Sequence, residues 1–426
     1  MKKITALLMA AMMLLAFAGC TNQANPPQSQ PQTTVPDTAT PTAAPAAAVP
    51  NVKISLIAGF TGSFATYSQY EKRAAELMQK YINDKGGISS LGGAKIEFSY
   101  ADHMSDPSQV ATIFERAVED KDVVAVLSNN SSSMTSGMLA SMEKAKIPLL
   151  TINSATKIVE QGYSYIFQTV FAASEVGAAQ VNFLSHLQQT EGIDTSKIGI
   201  LFQDNDAGRD GGDASKVLAE AAGMQVVAFE AYPVGSPDMS SPVVNLINSG
   251  AEAVFLTGDI NDLKQVMATM KQYEYSPLII GGGAGFLIQE FAEALGDDAI
   301  GVCTAATYAY NAKHVTEDPT LSEITNLFHD TYGQYPSSYE MGVISQTLMI
   351  WEALEKTGKA DRTVIRDYMK DNKFTTYAAG SPLQVSDTGA SPDHKAMICQ
   401  WQKLDSGEIV LSGIWPTEYA TQQLVK

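Results

Sequence analysis

The strongest constraint on this chain is a hydrophobic period that switches back and forth along most of its length. Short apolar, β-branched runs alternate with stretches of helical period. VKISLIAG from Val52, IEFSYAD from Ile96, VVAVLS from Val123 and PLLTIN from Pro148 form a first series. KIGILFQD from Lys197, QVVAFEA from Gln225, AVFLTG from Ala253 and PLIIGG from Pro277 form a second. Nearly continuous apolar strands separated by helices are what a parallel sheet covered on both faces requires. The helical signals are specific. Residues 70–83 put Ala74, Leu77, Met78, Tyr81 and Ile82 on one face and stop at Lys85-Gly86-Gly87. Asp106-Pro107-Ser108-Gln109 offers a cap, a first-turn proline and a reciprocal glutamine ahead of the stripe Val110, Ile113, Phe114 and Val118. Residues 173–189, 212–222, 242–248, 261–273 and 286–295 fill the gaps of the second series. AIGVCTAATY from Ala299 then leads to two long helices, 321–332 and 339–356, before the strand-like runs AMICQWQK from Ala396 and EIVLSG from Glu408.

Two wound sheets of about four strands each, followed by a return to helices and then to strands, predict an α/β protein. The chain is expected to cross between two lobes more than once, near residues 167–172, 303–308 and 381–386. The first lobe is expected to hold residues 51–168 and 304–383, the second 169–303 and 384–426. Multiple crossings make a hinge, and wound sheets bind ligands at the carboxyl ends of their strands.

The N-terminal fifty residues read differently. Lys2 and Lys3 precede an apolar run over 4–17, too short for the ~20 residues that span a bilayer, which reads as a signal peptide. It ends in Ala18-Gly19-Cys20, and small residues directly before a cysteine resemble the lipobox at which bacterial lipoproteins are acylated. Phe17 departs from the aliphatic residue usual at its position. Residues 21–50 hold no Lys, no Arg, no aromatic residue and one acid, Asp37. Such a Pro/Thr/Ala-rich stretch buries too little to repay its ordering and reads as a tether.

Removing residues 1–19 takes the formal charge from −18 to −20, which argues against nucleic acid or anionic lipid as a partner. Apart from Cys20, the cysteines are Cys303 and Cys399, and the five histidines are scattered, so neither metal nor cofactor is indicated. No G-x-S-x-G elbow or H-E-x-x-H helix is present, and the chain reads as no enzyme.

One cluster stands out on chemistry alone. Ser131-Ser132-Ser133 precedes a helix bearing Met134, Met138, Leu139 and Met142, so hydroxyls and free N–H groups meet at a helix N-terminus. That is either an anion site or plain capping. The glycines of 281–285 lack the lysine of a phosphate loop and read as a close approach of backbone.

IAGFTGSFATYSQ, YINDKGGISSLGGAKIEFSYADHMSDPSQV, LSNNSSSMTSGM, LLTINSATKIVEQGYSYIFQT and LFQDNDAGRDGG occur in an order and spacing that resembles the type I periplasmic solute-binding proteins of branched-chain and hydrophobic amino-acid ABC importers. The resemblance runs from Lys53 to Leu411. It implies two Rossmann-like lobes joined by a three-crossover hinge, a ligand trapped between them, an importer permease as partner, and a leucine-binding-like, monomeric, lipid-anchored protein outside the membrane; the same fold can also serve a sensor. Tyr67 matches the family's cleft aromatic, Ser132 and the Ser154-Ala155-Thr156 run its carboxylate clamp, and Tyr339 a late aromatic. Two family positions are altered: Ala207 replaces an aromatic, and 281–285 lacks the acid that holds a ligand ammonium. A roomier, less charged second-lobe wall follows, with an apolar or aromatic ligand end against Tyr67, Tyr339 and Phe286. The competing expectation keeps an amino acid and gives its ammonium to Asp259 or Asp206, two acids at strand ends.

Overall fold

The computed structural model describes residues 50–193, 196–375 and 382–425. The leader, Cys20 and all of the tether but Pro50 lie outside the described residues, as does the start of the third predicted crossing.

The first series builds a five-stranded, all-parallel sheet. Its elements are β1 (Val52–Ala58), α1 (Ala65–Asp84), β2 (Ile96–Asp102), α2 (Val110–Ala117), β3 (Val123–Leu127), α3 (Ser132–Ala145), β4 (Leu149–Thr151) and β5 (Ile166–Gln168), with strand order β2-β1-β3-β4-β5. The second series continues with α4 (Ala173–Thr190), β6 (Lys197–Gln203), α5 (Asp206–Ala221), β7 (Gln225–Tyr232), α6 (Ser240–Ser249), β8 (Ala253–Thr257), α7 (Ile260–Gln272), β9 (Leu278–Gly282), α8 (Glu290–Leu295) and β10 (Cys303–Ala306). Then come α9 (Lys313–Thr316), α10 (Pro319–Tyr332), α11 (Ser338–Thr357), α12 (Arg362–Asp371), β11 (Met397–Lys403) and β12 (Ile409–Trp415). The second sheet has seven strands in the order β12-β11-β10-β9-β8-β6-β7. It is parallel from β7 to β10, and antiparallel where β11 joins β10 and β12 joins β11.

Both sheets are sandwiched, which is why their strands are apolar on both faces. Helices α1, α10, α11 and α12 cover one face of the first sheet, and α2 and α3 the other. On the second sheet α6, α7 and α8 cover one face, α4 and α5 the other. The chain leaves the first sheet after β5 and returns to it after β10. It leaves again beyond the Phe374–Leu383 bridge to form β11. Thr304, Ala305 and Ala306 still pair with β11, so the second crossing falls after Ala306, three residues later than the predicted bound.

Several local signals act as read and others do not. Asp106 accepts from the N–H and the hydroxyl of Ser108 at 2.9 and 2.8 Å, but α2 starts at Val110 and Gln109 reaches only Ser108, at 3.4 Å. The proline turn therefore precedes the helix instead of opening it. The short β5 and helix α12 carry too few apolar residues to announce themselves: α12 buries only Ile365 and Met369. Helix α11 is set by a reciprocal cap between Ser337 and Glu340, and Arg73 joins it to α1 through an ion pair with that glutamate. Among the described residues no helix is long and apolar enough to cross a membrane, and no His/Cys/Asp/Glu group could hold a metal.

Candidate functional site

Strand order reverses between β1 and β3 in the first sheet and between β6 and β8 in the second. The loops beyond those four strand ends must splay apart, which opens a crevice. A cavity of about 310 Å³ lies there, walled by both sheets' loops.

The first-sheet wall comprises Asn130, Ser131, Ser132, Ser133, Ile152, Asn153 and Ser154. Its backbone is fixed from behind. Ser131 caps α3 by accepting from the Ser133 N–H at 3.3 Å. Thr151 Oγ1 and Asn153 Nδ2 both donate to the Ser128 carbonyl, at 2.6 and 3.3 Å. Gln346 from α11 exchanges hydrogen bonds with Asn129, which in turn accepts from the Ile152 N–H at 2.9 Å. The Ser132 hydroxyl accepts from the Ala155 N–H at 3.4 Å and keeps its own proton to donate. Hydroxyls, amides and the first N–H groups of a fourteen-residue helix thus converge on one wall, an arrangement suited to a carboxylate.

The facing wall is built from Gln203, Asn205, Asp206, Ala207, Gly208, Thr257, Gly258 and Asp259. Asn205 caps α5 through the Gly208 N–H at 2.8 Å. Gly208 has to be glycine, since a Cβ there would lie 2.1 Å from the Gln203 carbonyl oxygen. Asp259 precedes α7 without capping it. Its carboxylate accepts from Gln203 Nε2 at 3.0 Å and from the Tyr67 hydroxyl at 3.5 Å. Burial, with Asp262 close by, holds its pKa above the ordinary value. Thr257 Oγ1 and Ser338 Oγ, both on the wall, have no protein partner. Phe64, Val170, Phe171, Val176, Val234, Leu287 and Tyr339 supply the apolar surface. Among the described residues no lysine, arginine or histidine lines the cavity.

Of the residues singled out in the sequence, Ser132, Ser154, Asp206, Asp259 and Tyr339 meet at this cavity. Tyr67, Ala155 and Thr156 do not line it. The Tyr67 ring packs on Tyr339 with centroids 4.9 Å apart, and its hydroxyl accepts from the Ile260 N–H at 3.0 Å, giving α7 the cap that Asp259 does not. Ala155 is fully buried, and the Thr156 N–H donates to Asp210 at 3.1 Å. Asp206 sits at the rim, ion-paired with Lys157. Phe286 is core, not wall: it packs on Phe291 and Gly281, and the residue after it, Leu287, faces the cavity. The 281–285 glycines are a packing device, because a Cβ on Gly285 would sit 2.5 Å from the Ile260 nitrogen. Sequence reading missed Asn130, Asn153, Gln203 and Thr257. Their signal was present, as polar side chains at or just beyond the carboxyl ends of β3, β4, β6 and β8.

The pattern that defines the periplasmic binding proteins matches residues 51–408. The chain belongs to that family. The Leu/Ile/Val-binding protein homolog 8 of Brucella abortus is 30% identical over 293 residues, 68% of this chain and 72% of the relative. Homolog 7 of the same organism is 25% identical over 360 residues, 83% and 89% of the two chains. Three solved structures share the fold. The branched-chain amino acid binding protein LivJ of Streptococcus pneumoniae, in complex with isoleucine, superposes with a TM-score of 0.72 at 19% identity over 86% of this chain and 100% of that one. The leucine binding protein LivK of Thermotoga maritima gives 0.71 at 18%, covering 85% and 98%. A solute binding protein of Rhodopseudomonas palustris in complex with 3,4-dihydroxy benzoic acid gives 0.70 at 19%, covering 85% and 96%. As a member of that family the chain is a binding protein and not an enzyme, and the family places it outside the cytoplasm.

Proposed function

We propose that this binding protein captures a small zwitterion, a hydrophobic amino acid or a close amine-bearing relative, and delivers it to an ABC importer while tethered to the membrane through acylated Cys20. One observation carries the ligand class: Asp259 faces a cavity that also holds the α3 N-terminus and contains no cationic side chain. A carboxylate suits the Ser132 and Ser154 wall, and an ammonium offsets the buried charge of Asp259, which is costly when unpaired. A purely anionic ligand meets that charge with nothing to balance it. The acid expected in 281–285 is thus replaced from the neighbouring strand end, and Ala207 leaves room for an apolar side chain against Phe171, Val234 and Leu287. The lobes are taken as 51–168 with 304–383 and 169–303 with 384–426, adjusted by β10.

Calorimetry on the full chain with leucine, its deaminated keto acid and 3,4-dihydroxybenzoate tests the ligand class. Leucine is expected to bind, and Asp259→Asn to weaken it by roughly a hundredfold, on the scale of a charge-assisted bond of up to ~3 kcal/mol. Keto acid or aromatic acid binding as tightly as leucine would overturn the zwitterion. Recovery of the chain in the membrane fraction, lost in Cys20→Ala, tests the anchor.

A further inference from the structure

Behind the first-sheet wall lies an acid that the binding site does not use. Glu71, on α1, is fully buried. Among the described residues its one partner is the Asn130 side-chain amide, whose Nδ2 donates to Oε1 at 2.5 Å, and Oε2 has none. The amide's other end is saturated, since Asn130 Oδ1 accepts from the Gly59 N–H at 2.5 Å and from the Ser68 hydroxyl at 3.0 Å. Asn130 itself lines the cavity, one residue before the α3 cap. The groups that face Glu71 and its partner offer no compensating charge. Tyr339 comes from α11, and its phenol is pushed up by burial. His103 comes from the loop after β2, beside Asn130, and burial lowers its pKa. Arg73, two residues along α1, is committed to Glu340 and to the rings of Tyr70, Phe328 and Tyr332.

We propose that Glu71 carries a proton in the folded protein at neutral pH and, as a neutral acid, positions Asn130 in the ligand wall without opposing a bound carboxylate. The inference rests on reading that wall as the carboxylate side. Two physical reasons carry it. An ionised carboxylate with one amide partner and no cation is among the costliest groups to bury. An anion directly behind a carboxylate-binding wall would also repel the ligand that the wall holds. Burial, acting against the Asn130 hydrogen bond, places the pKa of Glu71 well above its ordinary 4.5.

Melting curves of the full chain and Glu71→Gln, recorded from about pH 4 to about pH 8, test this without any ligand. Above the ordinary glutamate value of 4.5 the unfolded chain releases the Glu71 proton while the folded chain keeps it. The wild type therefore loses stability with rising pH relative to the glutamine variant. A gap that opens in favour of Glu71→Gln as pH rises is the expected result; parallel curves would overturn the proposal. Infrared spectra of wild type labelled at glutamate should show the carbonyl band of a protonated carboxyl at neutral pH, and its absence would count equally against it. A protein that binds no leucine at all would sink the amino-acid reading above, and the melting and infrared arms would still decide this one.

Discussion

Cys303 and Cys399 show what a single residue's setting can decide. They lie on neighbouring antiparallel strands, and the register pairs Thr304, not Cys303, with Cys399. Side chains alternate along a strand, so the two thiols emerge on opposite faces of the sheet, one in each of two separate core clusters. Both are free, and burial pushes the Cys303 thiol up to about 12 and that of Cys399 higher still. We expect both to resist alkylation in the native protein under oxidising conditions and to react fully on unfolding. A mass shift lost on reduction, or labelling before unfolding, would contradict the register. Asp259 and Glu71 make a comparable contrast: both are acids raised by burial, but only Asp259 lines the cavity.

At the scale of elements, the first lobe depends on a helix that sequence periodicity passed over. Arg362, the first residue of α12, donates to the carbonyls of Val123, Asp120 and Val118 at 2.8, 2.9 and 3.0 Å. Those oxygens lie at the start of β3 and just beyond α2, where a helix leaves its last carbonyls without partners. Asp361 caps the same helix through the Thr363 and Val364 N–H groups, both at 2.9 Å. Arg362→Ala should destabilise the protein by about 2–4 kcal/mol, the range for losing several charge-assisted bonds at a partly buried site, while Arg362→Lys restores only part because it lacks the fork. Denaturant titration measures both, and a loss below ~1 kcal/mol would show the clasp to be ornamental.

The whole molecule is held with its two walls joined at opposite rims of the cavity. Tyr67 and Tyr70 of α1 reach the N–H groups of Ile260 and Glu290, and Lys157 with the Thr156 N–H engages Asp206 and Asp210 of α5. These contacts tie the loops of the two sheets together, so an opening between the sheets has to break them. Lys157→Asp sets like charges across the rim and should weaken leucine binding two- to fivefold, a partly exposed pair being worth roughly 1 kcal/mol or less. Adding Asp206→Lys should restore it, and a double variant no better than the single would remove the pair from the closure energetics.

The alternation of apolar strands with capped helices determined the class, the two wound sheets and the strand ends at which the cavity opens, because periodicity and capping act within a few residues. Serines at a helix start were legible for the same reason. Which acid faces the cavity, which tyrosine ties its two walls instead of lining it, and which side of the sheet each thiol occupies were decided by tertiary structure alone. Those outcomes depend on strand register and on segments more than a hundred residues apart, as in the 192 residues between Tyr67 and Asp259, and no local signal encodes such a meeting.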